Sequence, residues 1–514
     1  MSDRALRAGG AAAALVALAA LAPGSAKAHA IGQVFTLPVP LGLYLAGAGA
    51  AVAASFVVSV AAVRPAAAVP SYPVRPVDAG VARAASVLLA ALGVAWWFGA
   101  ILAGLVVDVI SPLPAILFWI GIWVGLPIAA VLLGNPWPSL SPFRTVFGLV
   151  ERAAGALGAS RIDAGLPYPA ALARWPAVAF LFVALWCELV LFSSDDPRLI
   201  ATLLLAYTLL TLGGMLLFGR IAWLRNAELF EVILGWFGRV GPVGRRAVDP
   251  EVCDGCAEAC DPAHCVDCPE CSVAAEPHER RAELRPWFTG LAEVRNAGWS
   301  DAAFIVLALA GVTFDGLRET AFYGTTLQPI YDAVLPTFGA ANTVLVVQTA
   351  GLAMVWLIFL AAFTVATWLT RALHDPDRHA PPLSATIGAY AATLLPIAAG
   401  YLVAHYLTLV IQGVVWLPVL LADPLNTVAP LLDFIPTSAI WYLSVGAIVL
   451  GHVVAVVLAH RLALRDAPRR AVLAGLPLVL LMIGYTVLSL WIIASPITVD
   501  PGTPSPETVL VPTR

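Results

Sequence analysis

Residues 342–370 read NTVLVVQTAGLAMVWLIFLAAFTVATWLT and contain no charged side chain. A helix needs about 20 apolar residues to cross the hydrocarbon core of a bilayer, so this stretch predicts a transmembrane helix. Nine further apolar runs are long enough to make the same crossing: 39–63, 83–107, 113–134, 176–193, 199–218, 301–317, 385–411, 438–460 and 471–494. The sequence therefore predicts an all-α fold, a polytopic membrane bundle of about ten transmembrane helices.

The overall composition supports a membrane protein. Of 514 residues, 60% are hydrophobic and only 12% are charged, and the mean hydropathy is +0.89. A soluble domain carries roughly 25% charged residues, so the lipid bilayer is the expected main partner. The net charge of −4 argues against nucleic acid as a partner. Lys27 is the only lysine, which excludes a Walker A motif beyond this residue and argues against an ATP-driven pump.

Basic loops set the expected orientation, because cytoplasmic loops of membrane proteins carry an excess of Arg and Lys. Loops 64–83, 135–175 and 461–470 are rich in Arg, and they alternate with short or acidic loops such as 193–196. The three Arg-rich loops are therefore expected in the cytoplasm, with both mature termini outside the cell. This orientation predicts a multi-pass protein of the plasma membrane whose Pro-rich residues 495–514 form a disordered external tail.

The N-terminal residues are typical of a secretory signal peptide. Arg4 and Arg7 precede a short apolar run, and Ala26-Lys27-Ala28 matches the small-x-small rule for cleavage. The apolar run is too short to span the bilayer, which needs about 20 residues. Residues 1–28 are therefore predicted to be cleaved, which leaves His29 as the new N-terminus outside the cytoplasm. An uncleaved membrane anchor is the alternative.

Residues 219–241 carry more charge than the apolar runs. Their charged side chains fall within one arc of about 140° on a helical wheel, and they are Arg220, Arg225, Glu228, Glu231 and Arg239. This pattern predicts an interfacial helix on the cytoplasmic leaflet. An eleventh span is the alternative, which two carboxylates near its middle make costly. With this helix, residues 29–248 form an N-terminal membrane region and residues 301–494 a C-terminal one.

A cysteine cluster lies in the cytoplasmic loop 249–300 that separates the two membrane regions. Its members follow the spacing C-x2-C-x3-C-x4-C-x2-C-x2-C: Cys253, Cys256, Cys260, Cys265, Cys268 and Cys271. Thiols stay reduced in the cytoplasm, and two C-x2-C knuckles can present four thiolates to one tetrahedral zinc ion. Cys260, His264 and Cys265 are then left to complete a second site or to replace a ligand. An iron–sulfur cluster or a metal-sensing role is the alternative.

Ionisable residues within apolar runs are default functional candidates, because burying them in lipid is unfavourable. Glu188, Asp315 and His405 are predicted to lie at similar depth in the outer leaflet. Such a set can hold a divalent metal ion, or act as general base and acid toward water. Asp108, Arg318 and Glu319 occur near the same depth. For these three residues and for Asp315, the plainer interpretation is that they cap helix ends at the interface and pair with one another. His452 and His460 share the ninth span, where a haem is not favoured because His405 and His452 differ in depth by about 12 Å.

Several short segments resemble one known membrane-protein family. They are His29-Ala30-Ile31-Gly32, Leu37-Pro38-Val39-Pro40, Gly134-Asn135-Pro136-Trp137, Val312-Thr313-Phe314-Asp315-Gly316, Val403-Ala404-His405-Tyr406, Gly451-His452-Val453 and Leu458-Ala459-His460. In this order they resemble the bacterial and archaeal membrane proteins of the fenitrothion hydrolase family, over about residues 28–496. The resemblance implies hydrolysis of a P–O–aryl bond in an organophosphate.

Three functions follow as hypotheses. The first is a membrane hydrolase of apolar phosphotriesters, an apolar small-molecule substrate class, with Glu188, Asp315 and His405 around an outer-leaflet divalent metal. The second is a transporter or a copper- or zinc-handling permease, because an N-terminal His29 can chelate copper through its amine and its ring. The third is a structural or sensing subunit whose zinc-binding cytoplasmic loop docks a partner protein of unknown identity.

Overall fold

The computed structural model describes residues 41–63, 73–76, 78–107, 111–191, 193–247, 280–292, 294, 297–376, 380–430, 432 and 434–495. Several predictions fall outside these residues. They are the signal peptide 1–28 with His29, the cysteine cluster with His264, Asp108 and the tail from 496 onward.

Helices dominate the described residues. They are α1 (Leu41–Ala62), α2 (Ala79–Val106), α3 (Leu113–Leu133), α4 (Trp137–Leu140), α5 (Pro142–Ala156), α6 (Trp175–Leu189), α7 (Pro197–Phe218), α8 (Arg220–Asn226), α9 (Leu229–Gly238), α10 (Trp299–Arg318), α11 (Ala321–Phe338), α12 (Ala340–Ala372), α13 (Leu383–Ala422), α14 (Thr437–Asp466) and α15 (Ala471–Ala494). Two of them change their winding. The middle of α3, Ile116–Gly125, is a π-helix, and α13 contains a 3-10 turn at Ala392–Leu394.

Within the described ranges, nine helices are long and apolar enough to cross a membrane: α1, α2, α3, α7, α10, α12, α13, α14 and α15. The all-α membrane bundle expected from the sequence is thus confirmed in its broad form. The expected span 176–193 differs, because α6 has only 15 residues. At 1.5 Å per residue it is about 22 Å long, short of the roughly 30 Å hydrocarbon core.

Residues 219–241 do not form the single interfacial helix that their charge pattern predicts. They form two helices, α8 and α9, which meet at Ala227 and Glu228. Glu228 is fully buried and Glu231 is 6% exposed, so both carboxylates face protein rather than the membrane surface. The prediction of one continuous helix was wrong. Its polar residues meet polar side chains of other segments, which a charge pattern alone does not distinguish from contact with water.

A small antiparallel sheet joins three distant segments. Its strands are β1 (Val74–Pro76), β2 (Val243–Ala247) and β3 (Arg280–Leu284), in the order β1-β3-β2. β1 belongs to the loop between α1 and α2, whereas β2 and β3 flank the cysteine-rich segment. The pairing therefore brings two loops that were expected in the cytoplasm to the same side of the bundle.

Glycines allow α13 and α14 to pack closely. A Cβ atom on Gly400 would lie 2.4 Å from the Ala447 carbonyl oxygen, and one on Gly451 would lie 2.3 Å from the Pro396 carbonyl oxygen. Such close backbone approach is typical of membrane helices, where packing replaces the hydrophobic effect. It also fixes the register of the two helices and hence the position of His405 on α13.

Candidate functional site

Three helices bring the predicted ionisable residues together at one end of the bundle. Glu188 is the next-to-last residue of α6, Asp315 lies in the last turn of α10, and His405 lies within α13. α10 and α13 can approach here because Gly316 follows Asp315. A Cβ atom at Gly316 would lie 2.8 Å from the Tyr401 hydroxyl oxygen and 2.6 Å from Ile492. We call Glu188, Asp315, Arg318, His405 and Tyr406 the outer cluster, after the leaflet in which the sequence predicts its ionisable members to lie.

Asp315 is the centre of the outer cluster. Its Oδ2 atom lies 2.9 Å from His405 Nε2 and accepts a hydrogen bond of 2.9 Å from the Tyr406 hydroxyl group. Its Oδ1 atom lies 3.1 Å from Arg318 Nε and 3.0 Å from Arg318 Nη2. An ionised carboxylate offers about four lone-pair sites, so three side chains together satisfy this buried carboxylate.

Glu188 is linked to Asp315 through Tyr406. The Tyr406 hydroxyl oxygen lies 2.9 Å from Asp315 Oδ2 and 3.4 Å from Glu188 Oε1. On its other side, Glu188 Oε2 accepts a hydrogen bond of 2.7 Å from Trp123 Nε1. A hydroxyl group carries one proton, so Tyr406 can donate to only one of these carboxylates at a time.

Arg318 joins the outer cluster to the end of α6. Its Nη1 atom donates a hydrogen bond of 2.6 Å to the Leu189 carbonyl oxygen, while its Nε and Nη2 atoms hold Asp315. The Arg318 and His405 side chains remain 27% and 19% exposed, compared with 9% for Asp315. The guanidinium and imidazole groups are therefore more accessible than the Asp315 carboxylate that they contact.

Trp123 reaches Glu188 from the π-helical part of α3. A π-helix is rare, and where it occurs it is often found at functional sites. A second tryptophan of the same segment, Trp119, donates a hydrogen bond of 2.7 Å to the Ser194 carbonyl oxygen. Both indole groups thus face the segment that contains the end of α6 and the chain just after it.

A second polar group lies around the junction of α8 and α9. Glu228 accepts hydrogen bonds from Tyr207 (2.6 Å) and Trp137 (2.9 Å). One turn further along α9, Glu231 forms an ion pair of 3.1 Å with Arg144, and both of these side chains are less than 10% exposed. We call Glu228, Glu231, Arg144, Tyr207 and Trp137 the inner cluster.

The remaining predicted residues are not part of either cluster. Glu319 is exposed at the end of α10. His452 is fully buried in α14, where its Nδ1 atom lies 2.8 Å from the Ile448 carbonyl oxygen. His460 packs edge-on against Phe56, with ring centroids 5.7 Å apart.

Sequence reasoning missed Tyr406 and Trp123, and it assigned Glu228 and Glu231 to the polar face of an interfacial helix rather than to a site. Tyr and Trp do not ionise at neutral pH, so a search for charged residues in apolar runs passes over them. A usable signal for Tyr406 is its position next to His405. Trp137 occurs in the segment Gly134-Asn135-Pro136-Trp137 quoted for the family resemblance, but nothing in the sequence connects it or Tyr207 with Glu228, which lies 91 and 21 residues away.

The outer-cluster side chains do not match a metal site as they are arranged. Each Asp315 oxygen already takes donors, and the described residues contain no group of three His, Cys, Asp or Glu side chains that could hold a metal ion. The prediction of a divalent ion between Glu188, Asp315 and His405 therefore gains no support from these contacts. The zinc prediction concerns residues outside the described ranges and stays a prediction.

Comparison of the chain with protein-family models, with curated proteins and with solved structures gives no match. The family resemblance noted in the sequence therefore stays a prediction.

Proposed function

We propose that the protein is a proton-translocating membrane permease and that the outer cluster takes up and releases the proton. The observation that carries this proposal is the Tyr406 hydroxyl group between two carboxylates, 2.9 Å from Asp315 and 3.4 Å from Glu188, with His405 on the same Asp315 oxygen. Carboxylate and histidine chains inside a membrane bundle are typical of proton relays in pumps and transporters.

Charge balance supports a single exchangeable proton. The outer cluster contains two carboxyl groups and one guanidinium group, so its net charge is −1 when both acids are ionised and His405 is neutral. One added proton makes the cluster neutral. Since an uncompensated charge is unfavourable in a low-dielectric interior, the neutral state with one bound proton is favoured inside the bundle. Glu319 adds a further negative charge at the exposed helix end, where solvent screens it.

The hydrogen bonds also give the proton a route within the cluster. A proton on His405 Nε2 is shared with Asp315 Oδ2 across 2.9 Å. Rotation of the Tyr406 hydroxyl group from Asp315 to Glu188 transfers the stabilising hydrogen bond to the second carboxylate. Asp315 is then the better proton acceptor, because it has lost a donor that favours its ionised form. The cluster can thus move a proton over a short distance while Arg318 stays in position.

Proton flux into liposomes tests this proposal directly. Purified protein is reconstituted into liposomes that contain a pH-sensitive dye, the membrane potential is clamped with potassium and valinomycin, and the outside is acidified. We expect the protein to acidify the interior faster than protein-free liposomes do. Asp315→Asn and His405→Gln should reduce the flux to the protein-free rate, because neither replacement can exchange the proton.

Asp332→Asn is the matched control, since Asp332 is an exposed carboxylate that accepts a hydrogen bond from Gln328 in α11. Its flux should equal that of the unmodified protein. Equal flux in the Asp315→Asn variant and the unmodified protein, with both reconstituted to the same density, would overturn the proposal. So would a flux in the unmodified protein no higher than in empty liposomes.

Hydrolysis of apolar phosphotriesters is the second candidate function. The observation that favours it is the pairing of His405 with Asp315, because a carboxylate that orients an imidazole is a common arrangement for a general base. Turnover of a nitrophenyl phosphotriester by the purified protein, with and without a chelator, tests this activity. We expect His405→Ala and Glu188→Gln to abolish turnover while assembly stays intact. Full activity in both variants would remove the outer cluster as a hydrolytic site.

A further inference from the structure

The helices α8 and α9 form a re-entrant hairpin. α8 runs back along α7, because Trp223 packs against Gly214 and, further along, Glu228 contacts Tyr207. Tyr207 lies in the middle of α7, a helix long enough to span the membrane. The junction between α8 and α9 is therefore near the middle of the bilayer. Non-helical backbone is tolerated at that depth when it is buried in protein, and broken helices in transporters often form ion sites.

Glu228 caps α9 at this depth with all of its acceptor capacity in use. Its Oε1 atom accepts from Tyr207 (2.6 Å) and from the Phe230 amide (3.0 Å). Its Oε2 atom accepts from Trp137 (2.9 Å) and from the Glu231 amide (2.6 Å). An ionised carboxylate has about four lone-pair sites, so a proton can bind Glu228 only if one donor leaves.

Arg144 and Glu231 form an ion pair beside Glu228, so Glu228 is the carboxyl group of the inner cluster whose charge can change. Glu231 is paired with Arg144 at 3.1 Å, which makes that pair neutral. If Arg144 compensates Glu231, then the charge of the inner cluster is set by Glu228. The inner cluster therefore resembles the outer one in composition: two carboxyl groups, one guanidinium group and a tyrosine hydroxyl group.

Ring contacts of Trp123 lead from the outer cluster to the inner cluster. The indole of Trp123 donates to Glu188, and its ring centroid lies 6.4 Å from that of Phe230. The Phe230 ring in turn lies 5.1 Å from Trp137 and 6.0 Å from Tyr207, both of which hold Glu228. Phe230 is 3% exposed. A buried phenyl ring thus lies between Trp123, which donates to Glu188, and the two side chains that donate to Glu228.

We infer that Glu228 is a second proton-binding group, on the far side of a barrier formed by Phe230. This inference rests on the proposed function. A proton that leaves Glu188 crosses on water admitted when Phe230 moves, and it converts the Glu228 carboxylate into a carboxylic acid. Glu188 becomes ionised as Glu228 becomes neutral, so charge is conserved. Because the incoming proton displaces Tyr207 or Trp137, protonation also loosens the hairpin from α7 or from α4.

Flux through variants of Glu228 and Phe230 tests the inference, in the liposome assay described above. The Glu228→Gln substitution should reduce the flux to the protein-free rate. The Glu228→Asp variant should keep part of the flux, because aspartate both caps a helix and binds a proton. Phe230→Ala should raise the flux in the unmodified background, since it removes the barrier. The same substitution in the Glu228→Gln background should have no effect.

Thermal unfolding of each variant separates proton binding from capping. A purely structural cap predicts a lower unfolding temperature for Glu228→Gln with unchanged flux per folded protein, and that result would overturn the inference. An equal increase in flux on Phe230→Ala with and without Glu228 would overturn it as well. If the Glu228→Gln variant has the flux of the unmodified protein while the Asp315→Asn variant has only the protein-free flux, this inference fails and the proposed function stands. Normal flux in Asp315→Asn means instead that the proposed function fails.

Discussion

Arg318, at the end of α10, donates a hydrogen bond of 2.6 Å from its Nη1 atom to the carbonyl oxygen of Leu189, at the end of α6. The same guanidinium group holds Asp315 through two further contacts. One side chain therefore sets the distance between the helices that carry the two outer carboxylates.

Replacing this guanidinium group should destabilise the protein in a graded way. Arg318→Lys keeps the charge but cannot hold Leu189 and Asp315 together, because an ammonium group lacks the planar fork of arginine. Arg318→Gln also removes the charge and should be worse, with a loss of about 2 kcal/mol from hydrogen bonds to a charged group. Thermal unfolding in detergent should rank the proteins as unmodified, Arg318→Lys, Arg318→Gln. A common unfolding temperature for all three would contradict this role.

Close packing of α14 on α13 gives a second prediction. Gly451→Ala should lower stability by about 1–3 kcal/mol, the usual range for overpacking, because the new Cβ atom would lie 2.3 Å from the Pro396 carbonyl oxygen. Gly446→Ala on the same helix is the matched control, since a Cβ atom there has nothing within 4 Å. Unfolding temperatures measured side by side check the pair. Similar values for the two variants would mean that this contact does not limit the packing.

The cysteine cluster gives a third prediction. The purified protein should contain about one to two zinc ions per chain, and Cys253→Ser combined with Cys256→Ser should remove one of them. Metal content measured by mass spectrometry checks the number. Cys187→Ala is the control, because Cys187 is buried in α6 and away from the cluster sequence. Visible iron–sulfur absorbance, or zinc content that the double substitution leaves unchanged, would contradict a zinc site.

Membrane orientation is the fourth prediction. A cysteine probe after residue 505 should react with an impermeant reagent in intact cells, since the Arg-rich loops predict an external C-terminus. A probe at Arg465→Cys, in the last turn of α14 and within the Arg-rich stretch 461–470, should react only after permeabilisation. The reverse labelling pattern would invert the topology.

Hydropathy was sufficient to predict most of the bundle. Apolar runs such as 342–370 predict spans because a helix satisfies its own backbone hydrogen bonds in lipid. Local sequence patterns did not predict the short length of α6 or the division of residues 219–241 into α8 and α9. Their form depends on burial against other segments, such as the contact between Glu231 and Arg144, and no local pattern encodes a pairing 87 residues apart.

The candidate site could be predicted only in part. Glu188, Asp315 and His405 are conspicuous because each is ionisable within an apolar run, and the structure brings all three together. Tyr406 and Trp123 complete the hydrogen bonds but look like ordinary membrane residues in the sequence. Their importance depends on separations of 91 and 65 residues to Asp315 and Glu188, which only the packing of α3, α6, α10 and α13 reveals.

The pairing of β2 with β3 brings together the two ends of the cysteine-rich segment. Ala247, before the segment, is the cross-strand partner of Arg280, which follows it. Paired residues of antiparallel strands have Cα atoms about 5 Å apart, so the segment leaves and re-enters the fold at neighbouring points. A tight hairpin turn could connect the two strands in its place. A change in the length of the segment would therefore leave the distance between the helices on either side unchanged.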